Sequence, residues 1–127
     1  MVNKDNMRKA TQALRSEQYT QIKGQLHTDE GHCALGVICD VSGVGQWQNR
    51  AGDYYFSDKS GGDYARSSLT RSVIDWLGLL DNGDVSYFSD LYVTNEDGHR
   101  RSVWALNDDD GYDFHQIAAL IEKEYEL

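Results

Sequence analysis

Hydrophobic positions along this chain change period several times, and each change marks an element. From about Asn3 to Arg15, Met7, Ala10, Ala13 and Leu14 share one stripe while Lys4, Arg8 and Lys9 stay in water. That pattern predicts a helix with Asn3 or Asp5 at its start. Ser16 to Gln18 break it. Thr20 to Leu26 alternates, with Ile22, Gly24 and Leu26 on one parity and Gln21, Lys23 and Gln25 on the other, the pattern of a half-exposed strand. Thr28-Asp29-Glu30-Gly31 follows as a turn. Then come Cys33, Ala34, Leu35, Val37, Ile38 and Val41, apolar at spacings of three and four, which we read as a short buried helix. Gly36 within it would let another element approach closely.

Ser42 to Arg66 shows no clear period and is punctuated by Gly43, Gly45, Gly52, Gly61 and Gly62. A long irregular stretch of this kind is often functional. Trp47, Tyr54, Tyr55, Phe56 and Tyr64 sit in it, either packed back on the core or forming a contact surface. Ser67 to Leu77 predicts a helix with Leu69, Val73, Trp76, Leu77 and Leu80 on one face, Ser67 or Ser68 at its N-cap and Gly78 closing it. After a turn at 81–84, Val85–Thr94 and His99–Leu106 read as two strands joined by Asn95-Glu96-Asp97-Gly98. The last helix is the sharpest signal. Asp113 and Gln116 stand at capping-box spacing, Tyr112 is placed to staple on Ile117, and Ile117, Ala118, Leu120, Ile121 and Tyr125 form the inner face. Together these elements predict one α+β domain over residues 1–127: a small antiparallel sheet with three or four helices packed on it.

Composition agrees with a globular chain: 39% hydrophobic and 26% charged over 127 residues. No apolar run approaches the roughly 20 residues that span a bilayer, and MVNKDNMRKA lacks a signal-peptide apolar region, so no membrane association is expected. Net charge is −9, and it is uneven: residues 1–63 carry a net −1 and residues 64–127 a net −8. Phosphate backbones would be repelled, so direct nucleic-acid binding is not expected; a basic protein partner would be attracted. The candidate partner surface is the acidic set Asp108, Asp109, Asp110, Asp113, Glu122 and Glu126, together with Trp47, Tyr54 and Tyr55.

Chemistry-bearing patterns are sparse. Cys33 at a helix start, with His32, His99 or His115 as base and Asn107 as orienting group, would suit a thiol-dependent hydrolase or transferase. The competing reading is that both Cys33 and Cys39 are reduced core residues. Asn107-Asp108-Asp109-Asp110-Gly111 does not fit a calcium loop, because the frame would begin at Leu106 and end at Ile117, neither of them a ligand. Cysteine and histidine spacing does not suit zinc, and phosphate-loop, dinucleotide and hydrolase-elbow motifs are absent, so no cofactor or metal is expected. A third role, small-ligand binding by the aromatic stretch, stays open.

Residues 13–41, ALRSEQYTQIKGQLHTDEGHCALGVICDV, with the late WALNDDDGYDFHQIAALIEKE, resemble a family of small uncharacterised proteins from bacteriophages, prophages and actinobacteria. The resemblance rests on Leu14, Arg15, Tyr19, Gln21, Gly24, Leu26, Cys33, Leu35, Gly36, Val37, Cys39, Asp40, Leu106, Asn107 and Asp108, in two blocks covering about half the chain. Many members carry Pro where this chain has Thr70. The resemblance implies a setting, a phage or prophage gene acting in the bacterial cytoplasm, and no activity. The expectation it leaves is a non-catalytic accessory protein that binds another protein, possible targets being a host or defence factor, with the thiol enzyme as the alternative.

Overall fold

A computed structural model describes residues 2–59, 63–79 and 90–127. Its elements are α1 (Lys4–Arg15), β1 (His27–Thr28), β2 (Gly31–His32), α2 (Ala34–Ser42), β3 (Gly45–Arg50), β4 (Asp53–Asp58), β5 (Tyr64–Ala65), α3 (Arg71–Trp76), β6 (Tyr92–Thr94), β7 (Arg100–Ser102), α4 (Val103–Asp108) and α5 (Phe114–Glu124). Among the described residues these form five helices and three small antiparallel sheets, β1-β2, β3-β4-β5 and β6-β7. The fold is α+β, with the strand residues divided among three ribbons instead of gathered in one sheet.

Helix α2 lies at the centre. Residues Ala34 to Cys39 are all buried, and α1, α3 and α4 pack around it. Met7, Leu14, Leu35, Ile38, Leu106, Ile117 and Ile121 meet in one fully buried core. Each such side chain contributes about 1.5–3 kcal/mol by leaving water. Helix α1 is capped by Asn3, whose side chain accepts from the Asn6 amide at 3.0 Å. Helix α5 carries the expected capping box, Asp113 and Gln116 each accepting the other's backbone amide, at 2.8 and 2.9 Å. Arg15 clasps Glu122 through two bonds of 2.9 and 2.7 Å, which joins α1 to α5 at their ends.

Four local expectations need correction. Thr20 to Leu26 is not a strand. Gly24 adopts φ +88°, which turns the chain out of the extended path, and only Gln21 forms a bridge, parallel to His32. Its backbone groups are satisfied one by one instead: the Ile22 amide by the His32 carbonyl, the Leu26 amide by that of Arg66, and the Cys33 amide by that of Leu26. Leu26 lies so close to α2 that a Cβ on Gly36 would stand 1.8 Å from its carbonyl oxygen, the close approach expected of that glycine.

Second, the stretch expected to be irregular holds three strands, Gly45–Arg50, Asp53–Asp58 and Tyr64–Ala65, while residues 60–62 lie outside the described residues. It folds as a hairpin with a short third strand, and Ala51 and Gly52 take φ +55° and +93°, as a two-residue type I′ turn requires. Third, α3 starts at Arg71 rather than at Ser67 or Ser68. Thr70 is its N-cap without a side-chain bond, and the Asp63 carboxylate accepts the Arg71 amide at 2.9 Å. Gly78 closes it at φ +78° as expected. Fourth, the return strand expected to Leu106 stops at Ser102, whose hydroxyl accepts from the Ala105 amide and starts α4. Of the strand expected over 85–94 and the turn at 81–84, residues 81–89 lie outside the described residues; the remainder includes β6, paired with β7.

Candidate protein-binding surface

The thiol segment is interior. Cys33 and Cys39 are both fully buried and unbridged. Burial pushes the Cys33 thiol up to about 12 and the Cys39 thiol well above its ordinary value. At neutral pH neither is a thiolate, the form a nucleophile needs. Asn107, the candidate orienting group, is engaged elsewhere. Its Oδ1 accepts from the Ala34 amide (3.1 Å) and from Gln21 Nε2 (2.7 Å); its Nδ2 donates to the Ile22 carbonyl and to Asp108, both at 2.8 Å. Cys33 gives α2 no side-chain cap, so Asn107 supplies that cap from 73 residues away. Gln21 also donates to the Tyr112 carbonyl at 2.8 Å, and Asp108 accepts the Gly24 amide at 2.9 Å. Gln21, Gly24, Asn107 and Asp108, drawn from both blocks of the motif, thus meet in one clamp that seats loop 20–26 and, through the Ala34 amide, the start of α2.

Most of the acidic candidates are engaged within the chain. Asp108 belongs to the clamp. Asp110 pairs with Arg101 through bonds of 3.0 and 2.9 Å. Asp113 caps α5, and Glu122 holds Arg15. Asp109 and Glu126 are exposed. Asp108 to Asp113 flank the start of α5 and Glu126 lies past its end, so the six span the length of that helix.

The aromatic candidates divide across the β3-β4-β5 sheet. Antiparallel register pairs Trp47 with Phe56 and Asn49 with Tyr54, which puts these side chains on one face. That face meets the β1-β2 ribbon. The His27 and His32 rings stack at 3.9 Å, and Trp47 (5.0 Å) and Tyr54 (4.3 Å) lean on His27. Polar ends are satisfied as well: Trp47 Nε1 donates to Asp40 at 3.0 Å, the Tyr54 hydroxyl to Asp29 at 2.7 Å, and the Tyr19 hydroxyl to Asp40 at 2.6 Å. His27 Nδ1 faces the Gly31 carbonyl at 2.8 Å and therefore carries the proton. Burial, then the neighbouring His27, lowers His32 to about 4, with Asp40 pulling the other way, so the His32 ring is uncharged at neutral pH.

Tyr55 lies on the opposite face with Gln48 and Arg50. Its ring meets Tyr64 edge-on at 5.9 Å, and the Arg50 guanidinium lies 6.0 and 5.7 Å from the two ring centres. Tyr64 is 60% exposed, the most open large apolar side chain among the described residues. Tyr64 was named with Tyr55 among the aromatic residues of this stretch, whereas Arg50 was not singled out, because only the hairpin register places it beside them. The β3-β4-β5 sheet packs on α2 and β1, whereas α5 packs on α1, α4 and β6, so the aromatic and acidic candidates belong to different parts of the molecule.

Among the described residues no group of three or more His, Cys, Asp or Glu side chains is arranged to hold a metal ion, and no helix is long and apolar enough to cross a membrane. The fold and the buried motif define a small α+β domain built on a central helix held by a polar clamp. The chain belongs to the family described as Domain of unknown function (DUF8296), whose model matches residues 2–125. No curated protein and no solved structure matches the chain.

Proposed function

We propose that this chain is a non-catalytic accessory protein of phage or prophage type that acts in the bacterial cytoplasm by binding another protein, as an inhibitor of a host or defence factor. The observation that carries this reading is the contrast between the two chemically notable regions. The thiol and its would-be triad partner are locked in the interior, with the thiol held protonated. The Tyr55, Tyr64 and Arg50 face is open and has the residue types that dominate protein interfaces. The motif resemblance supports the phage setting. The acidic half supports a basic partner: Asp109 and Glu126 project into solvent, and the net −8 of residues 64–127 would speed the encounter.

In this reading the tyrosine face anchors the partner and the acidic side steers it. The test is site-specific photo-crosslinking in a host lysate, with a benzophenone side chain at position 64, at position 109, or at exposed Gln12 on α1 as control. One discrete adduct formed from positions 64 or 109 and absent from position 12 is the expected result. Adducts from position 12 alone would move the surface elsewhere, and no adduct from any position would defeat the binding role.

A further inference from the structure

The hydrogen-bond parity of the hairpin has a consequence for its outer edge. Position 50 pairs with 53 across the type I′ turn, and the Lys59 amide donates to the Val44 carbonyl at 3.3 Å. The bonded pairs of the ladder are therefore 50/53, 48/55, 46/57 and 44/59. The other parity of β4 faces β5, as the Asp58 amide bonded to the Asp63 carbonyl at 2.9 Å confirms. On β3 it follows that the amides and carbonyls of Gly45, Trp47 and Asn49 point away from β4. Strand order β3-β4-β5 leaves that side as the sheet edge, and among the described residues nothing bonds to those groups.

Natural sheets protect such an edge with Pro, Lys, a bulge or an inward charge. This strand, Gly-Gln-Trp-Gln-Asn-Arg, has none of these, and its register with β4 is unbroken over six pairs. We propose that the edge pairs with a second copy of itself, β3 antiparallel to β3′ about a two-fold axis at Trp47, giving a six-stranded sheet across a dimer.

The strand is self-complementary in that register. Trp47 faces Trp47′ and Gly45 faces Asn49′, so every outward amide meets an outward carbonyl. Gln46 falls opposite Gln48′ on the outer face, where two side-chain amides can bond each other. The edge strand carries no acidic side chain to attract the basic partner of the binding reading. Residues 45–50 carry a single charge, Arg50, and lie in the half of the chain with a net −1, so the paired strands themselves bring little charge together. The tyrosine faces of the two copies would then lie on one continuous sheet. The inference is independent of the binding function, because it concerns the edge of the sheet and not its face.

Sedimentation velocity on the whole chain, over a range of concentrations, tests it. Wild type is expected to reach twice the 14.4 kDa chain mass. Gln46 is exposed on the outer face and Gln48 is half-buried there, its Oε1 accepting from Arg50 at 3.2 Å, so far-UV circular dichroism checks that both double variants keep the fold. Gln46→Lys with Gln48→Lys puts like charges opposite each other twice and should weaken dimerisation about tenfold or more. Gln46→Lys with Gln48→Glu puts opposite charges at the same two places and should restore the dimer. A wild type that is monomeric at every concentration overturns the proposal. So does a Lys/Lys variant that dimerises like wild type, or a Lys/Glu variant as weak as the Lys/Lys one.

Discussion

Asn107 shows how one side chain can hold several segments at once. It is 1% exposed and uses both its oxygen and its nitrogen twice, on Ala34, Gln21, Ile22 and Asp108. Asn107→Ala strands a helix-start amide and a loop carbonyl in the interior, at a cost of about 3 kcal/mol in unfolding free energy. Asn107→Asp should do no better, since it turns a donor into an acceptor facing the Ile22 carbonyl. Urea unfolding of the two variants checks this, and a loss below about 1 kcal/mol in both would refute the clamp. Thr70 is the opposite case. It is fully buried, yet among the described residues its hydroxyl has no hydrogen-bond partner, and its backbone sits at φ −78° and ψ 164°. That φ is already proline's, and among the described residues the Thr70 amide bonds to nothing. Thr70→Pro should stabilise by about 0.5–1 kcal/mol through the unfolded chain and raise Tm by a few degrees in calorimetry. A fall in Tm would show that the hydroxyl has a role after all.

At the scale of elements, legibility followed the strength of local signals. Helices α1, α2 and α5 could be read because each has a periodic apolar face or a cap in its own sequence, as with Asn3 and Asp113. The β3-β4 hairpin could not. Its two faces are both mixed, with Trp47 on one and Tyr55 on the other, so alternation never separates apolar from polar. Its turn, Ala51-Gly52, also lacks the Asn-Gly or Asp-Gly signature that marked Asp97-Gly98 correctly. Thr20 to Leu26 misled for the converse reason: it alternates, but Gly24 turns out of the strand path and the partners that fix the segment are far away in sequence. The clamp was legible as a set of motif residues and not as a contact, since Gln21 and Asn107 are 86 residues apart. Two substitutions follow. Ala51 is forced into a left-handed conformation that Asn tolerates better, so Ala51→Asn should gain about 0.5–1 kcal/mol by thermal unfolding, whereas no gain would argue against the type I′ turn. Gly36→Ala should lose at least about 2 kcal/mol in the same measurement, although Ala is the better helix former by about 1 kcal/mol, because its Cβ would collide with the Leu26 backbone. A stabilised Gly36→Ala would mean that loop 20–26 does not rest on α2 as described.

For the molecule as a whole, the decisive division is between an interior that holds both thiols, with Asp58 and Asp90 as its buried carboxyl groups, and a surface that carries most of the charge. Cys33 titrates at about 12 in the fold against an ordinary 9.0, with burial as the main cause. The sign follows from the direction: a raised value means that the fold favours the protonated thiol, so this contribution to stability is intact below pH 9 and is lost as pH rises from 9 towards 12. Urea midpoints should therefore fall on going from pH 8 to pH 10.5, and less steeply in Cys33→Ala, which keeps Cys39 as the remaining buried thiol. At pH 8 the same shift cuts the thiolate fraction of Cys33 by about 10³ relative to a free cysteine. Iodoacetamide should then modify it only through opening of the structure, with a rate that rises in denaturant as the protein unfolds. Labelling of the native protein within about tenfold of free cysteine would place an accessible thiolate at the start of α2, and with it the nucleophile that a non-catalytic role lacks.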